Sequence, residues 1–140
     1  MAKRIYRQTE SVADREAIDV IRSDDVERLR RLPIDLAHHH GNWKFIQDVC
    51  VQLSGHSDWI VRGNSLLALR YAVHRYRCFE KNVIKPVLLR GLKDLKPEVV
   101  YHAEESIAEI NWLMKWRIGG AKKQKQIEKR FEERKGLTRR

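Results

Sequence analysis

The 140-residue sequence predicts an all-α fold, a short α-solenoid of antiparallel helix pairs. Three observations carry that reading. Apolar residues recur at helical spacing from about residue 13 onward. Turns built from Gly, Pro, Asp and Asn separate the apolar stripes. The last two helix pairs match when the sequence is shifted by 38 residues, and no strand pattern competes.

An N-terminal arm, residues 1–12, precedes the first helix. Ser11 and Asp14 offer N-caps to a helix carrying Ala17, Ile18 and Ile21. Ser23-Asp24 predicts a turn, and Asp24 with Glu27 has the spacing of a capping box. The next helix, about 25–31, is expected to break or kink at Pro33, which has no N–H and a fixed φ. A further helical turn through 34–40 ends at Gly41-Asn42.

From there the pattern is cleaner. Residues 43–53 place Phe45, Ile46, Val49, Cys50 and Leu53 on one face. Gly55-His56-Ser57-Asp58 is a turn that ends in capping residues. A long helix over 59–76 carries Val61, Leu66, Leu69, Ala72 and Val73 inward. After Glu80-Lys81-Asn82 a helix is expected over 83–94, with Pro86 in its first turn, where proline is tolerated. Lys96-Pro97-Glu98 turns the chain into the last core helix, 99–116.

The 38-residue shift brings Phe45 onto Val83, Ile46 onto Ile84, Val49 onto Val87 and Cys50 onto Leu88. In the second helix, Val61 meets Val99, Ser65 meets Ala103, Leu69 meets Ile107 and Ala72 meets Ile110. Two positions fail: Leu53 meets Gly91, and Leu66 meets Glu104. Two regular pairs preceded by a degenerate one make a solenoid domain over 13–116.

Ser57-Asp58-Trp59-Ile60-Val61-Arg62 and Lys96-Pro97-Glu98-Val99 resemble the HEAT-repeat turn, a short acidic or Pro-containing turn leading into Val-Arg. With Asn42-Trp43-Lys44-Phe45-Ile46 and Ile110-Asn111-Trp112-Leu113-Met114-Lys115-Trp116, residues 13–116 are similar to small bacterial HEAT-repeat proteins. Such proteins are associated with polymorphic or contact-dependent toxin systems, where some serve as immunity proteins. The resemblance implies HEAT-like antiparallel helix pairs and a protein that occludes the surface of a cognate toxin. The second turn departs from the pattern, with Val99-Val100-Tyr101 where the first has Val61-Arg62-Gly63.

The net charge of +10 is segregated. Residues 62–96 carry +7 and the tail, 117–140, carries +7, whereas 1–61 carries −1 and 97–116 carries −3. Such segregation concerns partners rather than fold. No stretch is apolar for the ~18 residues a membrane span needs, and no apolar segment follows the charged start. Cys50 and Cys78 lie far apart without a CxxC, which suits a reducing cytoplasm. The expected location is cytoplasmic.

Chemistry-bearing clusters are few. Consecutive His38, His39 and His40 point in three directions on a helix, so no metal site is expected. Cys50 reads as core, and Cys78 lies among Arg75, Arg77 and Lys81 without partners for a Cys-His system. There is no Gly-rich phosphate loop, HExxH or GxSxG. No enzyme and no cofactor are expected.

The charged face of the second helices is the better lead. Arg62, Arg70, His74 and Arg77 lie off the apolar stripe, and Glu105 and Glu109 share one face of the last core helix. A surface basic at one end and acidic at the other suits a protein of complementary pattern. The expected function is a non-catalytic protein-binding module, with those six residues as its contacts. Nucleic-acid binding through the basic 62–96 surface and the tail is the alternative.

Trp112 and Trp116 are expected to cover the open solenoid end, with a partner-binding hot spot as the alternative. Gly119-Gly120 predicts a hinge into a tail helix, in which Ile127 and Phe131 form an i, i+4 pair. That helix is expected to be mobile or docked on a partner, without membrane insertion.

Overall fold

The computed structural model describes residues 9–120, 125–130 and 132–133. All regular structure among them is helical. The core helices are α1 (Asp14–Ser23), α2 (Val26–His39), α3 (Trp43–Leu53), α4 (Trp59–Tyr76), α5 (Lys81–Gly91) and α6 (Pro97–Met114). A C-terminal helical segment follows, described at 125–130 and 132–133.

Each odd-numbered helix packs on its successor, and α4 lies between α2 and α6. Helix α3 also touches α5. The most enclosed element is therefore α4, with Val61, Leu66, Ala68, Leu69, Ala72 and Val73 all buried. Small residues appear where neighbours come closest. A Cβ at Gly63 of α4 would lie 3.2 Å from the His102 ring of α6.

Local chemistry explains most boundaries and corrects several expectations. Asn42 caps α3 by accepting from the backbone N–H groups of Lys44 and Phe45, and Asp58 caps α4 by accepting from Val61. Helix α1 begins after Ala13, so neither Ser11 nor Asp14 is its cap. The cap of α2 is Asp25, which accepts from Arg28. Asp24 instead ends α1 in a left-handed conformation at φ 50°, one residue out of the expected capping box.

Pro33 does not break the chain. Helix α2 runs from Val26 to His39 through it, with Leu29, Leu32, Pro33, Leu36 and Ala37 buried. Burying this apolar run outweighs the one backbone bond that proline withholds.

Helix α5 starts at Lys81 and ends at Gly91, so Pro86 sits beyond its first turn. A buried side chain fixes that start. Gln47 of α3 accepts from the Glu80 backbone N–H at 2.8 Å and donates to the Glu80 carboxylate at 3.0 Å. Helix α6 ends at Met114, two residues early, because Lys115 turns left-handed at φ 58°.

Residues that follow α6 fold back onto the helices. Asn111 accepts from the Ile118 N–H at 2.9 Å and donates to the Ile118 carbonyl at 3.2 Å. Gly119 and Gly120 then take positive φ, 90° and 75°, which glycine adopts without steric cost. The returning segment buries Ile127 to 1% exposure and places Arg130 Nη1 2.7 Å from Glu104 Oε1. Ile118 and Ile127 are buried there and half-buried Trp116 packs against the core, whereas Trp112 is exposed. The described part of the tail helix packs on this same chain through Ile127 and Arg130, while Phe131 lies outside the described residues.

Both failures of the 38-residue shift can be placed in the structure. Glu104 stands where Leu66 stands one pair earlier, and it faces Arg130 of the tail helix. Gly91 replaces Leu53 because Leu66 occupies the space: a Cβ there would lie 2.7 Å from Leu66 Cδ1 and 2.9 Å from Ala103 Cβ.

Gly91→Ala tests this packing. A helical Gly→Ala change ordinarily stabilises by up to ~1 kcal/mol. Here overpacking is expected to reverse the sign and cost about 1–3 kcal/mol in urea melts. Leu66→Ala in the same chain should recover part of the Gly91→Ala penalty, because it empties the space the new methyl needs.

Candidate functional site

Helices α4 and α6 run side by side, and both present charged residues one turn apart. Arg70 Nη1 lies 3.3 Å from Glu105 Oε2, and Arg70 Nη2 donates to Glu109 Oε1 at 3.4 Å. His74 Nε2 lies 3.1 Å from the other Glu109 oxygen. The expected bipolar face is therefore corrected: its basic and acidic ends meet in one cross-helix network. Four of the six expected contacts converge there.

Arg62 and Arg77 do not join them. Arg62 turns to the α5–α6 turn, where Nε and Nη2 bond Asp94 at 2.8 and 3.0 Å. Its Nη1 donates to the carbonyls of Ser57 and His56 at 2.9 and 3.1 Å. The Arg62 fork is thus occupied within the chain and is structural. Arg77 caps α4 in a left-handed conformation and is exposed.

One pair earlier the same clasp recurs. Arg30 of α2 holds Asp58 through Nε and Nη2, both at 3.0 Å. Hydrogen bonds from Arg30 and Arg62 hold Asp58 and Asp94 below the usual carboxylate range. At the third position of this series stands Val100.

The α4–α6 network is bracketed by aromatic side chains. Trp112, three residues past Glu109, is 72% exposed, and Tyr101, four before Glu105, is 43% exposed. Lys115 Nζ lies 5.2 Å from the Trp112 ring centre. On the α2 side, half-buried Tyr71 packs on His38 with ring centres 4.6 Å apart. Sequence reasoning missed Tyr101, although the i, i+4, i+7, i+11 series Tyr101, Glu105, Ala108, Trp112 traces one helix face. Beneath this surface His102 packs on Gly63 with its Nδ1 unpartnered. Burial pushes its pKa down, opposed by Glu105 and reinforced by Arg70.

Groups with catalytic or metal-binding potential are dispersed. His39 bonds Thr9 at 2.7 Å, while His40 stacks on Phe45 and pairs with Asp14. No group of three or more His, Cys, Asp or Glu among the described residues is placed to hold a metal ion. Cys50 is buried, which pushes its thiol pKa well up, and both cysteines are free thiols. No helix among the described residues is long and apolar enough to cross a membrane. A cleft of ≈ 540 Å³ opens between the α3–α4 and α5–α6 turns, lined in part by Ser54, Ser57, Leu66, Arg90 and Lys93. Comparison with protein-family models, curated proteins and solved structures returned no match.

The depressed carboxylates set an acid dependence. Asp58 and Asp94 titrate lower folded than unfolded, so the clasps contribute full stability above the unfolded value near pH ~4. That contribution is lost as pH falls through the folded values. Arg62→Gln is expected to cost roughly 1–2 kcal/mol at pH 7, allowing for solvent screening. The difference from the unaltered chain should close toward pH 2 in urea melts across pH 2–7.

Proposed function

We propose that this chain is a non-catalytic protein-binding module acting through the α4–α6 face. The observation that carries the reading is Trp112, a 72%-exposed indole one turn beyond an ion network that joins two helices. Large exposed aromatics beside well-held charges are the usual anchors of protein interfaces. The network supports the same role: Arg70, His74, Glu105 and Glu109 hold one another in place, so a partner meets an ordered polar rim. The finer architecture we propose is a short α-solenoid of three HEAT-like pairs, α1/α2, α3/α4 and α5/α6. In keeping with the resemblance described above, the proposed partner is a toxin domain, neutralised in the cytoplasm by occlusion of its surface.

Co-expression of this chain with a toxin domain from its own genomic neighbourhood, identified by gene position, tests the proposal. Rescue of growth by the unaltered chain is expected, and its absence sinks the toxin reading. Trp112→Ala should leave stability within about 0.5 kcal/mol, since the side chain is solvated. The same change should weaken toxin affinity by about 2 kcal/mol, a ~30-fold rise in Kd by calorimetry. Unchanged affinity would remove the α4–α6 face from the interface.

A further inference from the structure

Pairing the charges inside the fold shows where the protein's excess positive charge lies. Arg30, Arg62, Arg70 and Arg130 are each bound to a carboxylate of this chain, and Lys44 pairs with Glu80. Arg75 donates to the Ala37 carbonyl at 2.7 Å. Helix α5 is different. Lys81, Lys85 and Arg90 are exposed along it, Lys93 is exposed just past its end, and the helix contains no acid. Lys81, Lys85 and Lys93 form no ion pair among the described residues. The two flanking acids are already engaged, Glu80 by Lys44 and Gln47, and Asp94 by Arg62.

Two further features lie along this ridge. A tryptophan stands near each end: Lys81 Nζ is 5.8 Å from the Trp116 ring centre, and Lys96 Nζ is 5.7 Å from that of Trp59. Both indoles are half-buried and so keep an accessible part. At the C-terminal end of α5 the ridge runs into the ≈ 540 Å³ cleft, where Arg90 and Lys93 meet the hydroxyl-bearing Ser54 and Ser57. Arg90 Nη2 already donates to Ser54 Oγ at 2.8 Å, which orders the guanidinium at the rim.

From this arrangement we infer that the α5 ridge binds a single-stranded nucleic acid, with Lys81, Lys85, Arg90 and Lys93 on successive phosphates. The cleft takes the phosphate at one end of the tract, and bases stack against Trp116 and Trp59. Cations along a track with aromatic platforms are the arrangement that holds single strands without reading sequence. The four cations lie on α5 and just past its end, and none belongs to the α4–α6 network, so this inference does not depend on the toxin reading.

The test is fluorescence anisotropy of a labelled 20-nucleotide uridine RNA with the full chain, from 50 to 300 mM NaCl. Micromolar binding at the lowest salt is expected, with a log–log slope of about −2 to −3, as release of three or four phosphate counterions requires. Lys85→Glu with Lys93→Glu should weaken binding at least ~10-fold at 50 mM NaCl with the circular dichroism spectrum unchanged. Lys85→Gln with Lys93→Gln serves as the milder pair. Arg15→Glu with Arg28→Glu, exposed on α1 and α2, should leave affinity within about twofold. No binding at 50 mM NaCl overturns the inference. So does loss on Lys125→Glu with Lys129→Glu while the α5 variants bind normally, which would assign binding to the tail. Binding to vesicles of phosphatidylcholine and phosphatidylserine without binding to RNA also overturns it.

Discussion

Two arginine forks connect the successive helix pairs. Arg30 of α2 reaches Asp58 in the turn before α4, and Arg62 of α4 reaches Asp94 in the turn before α6. Each is a two-pronged, charge-assisted contact, which constrains orientation as well as distance. Asp58 also caps α4, so one carboxylate both starts that helix and ties it to the preceding pair. The apolar contacts among α2, α4 and α6 supply the bulk of the burial, but they are non-directional. The forks select one register among the ways such helices could slide.

The arginine series stops at Arg62 among the described residues. Val100 occupies the position of the missing arginine, and Glu104 occupies that of an inward leucine. A carboxylate at 4% exposure would be costly without a cation. Arg130 supplies one, delivered by the glycine turn and by the two bonds between Asn111 and Ile118. The basic tail, from composition alone a candidate for solvent or a partner, is in part the cap of the fold.

The same internal pairing divides the surface into two chemistries. Across α4 and α6 opposite charges neutralise one another and leave aromatic side chains as the most prominent exposed groups. Along α5 the cations lack such counterparts, because α5 borders α3 and α6 and its remaining side faces water. Formal charge along the sequence treats Arg62, Arg70, Lys85 and Lys93 alike. Only the fold separates those that hold it together from those that are free to attract a ligand.

The sequence by itself determined the helices of the regular pairs, the cap at Asp58, and most of the core. Those features are set by local hydrogen bonding and by the 3.6-residue period, and both act within a few residues. Tertiary structure decided the rest. It carried α2 through Pro33, since burial along the whole helix exceeds the loss of one bond. It moved the start of α5 to Lys81, through a buried glutamine 33 residues from Glu80. It turned Arg62 inward, joined Arg70 and His74 to Glu105 and Glu109, and left Trp112 and Tyr101 exposed. A long charged side chain has no preferred partner until another helix is placed beside it, and that placement is a property of the packed array rather than of any segment.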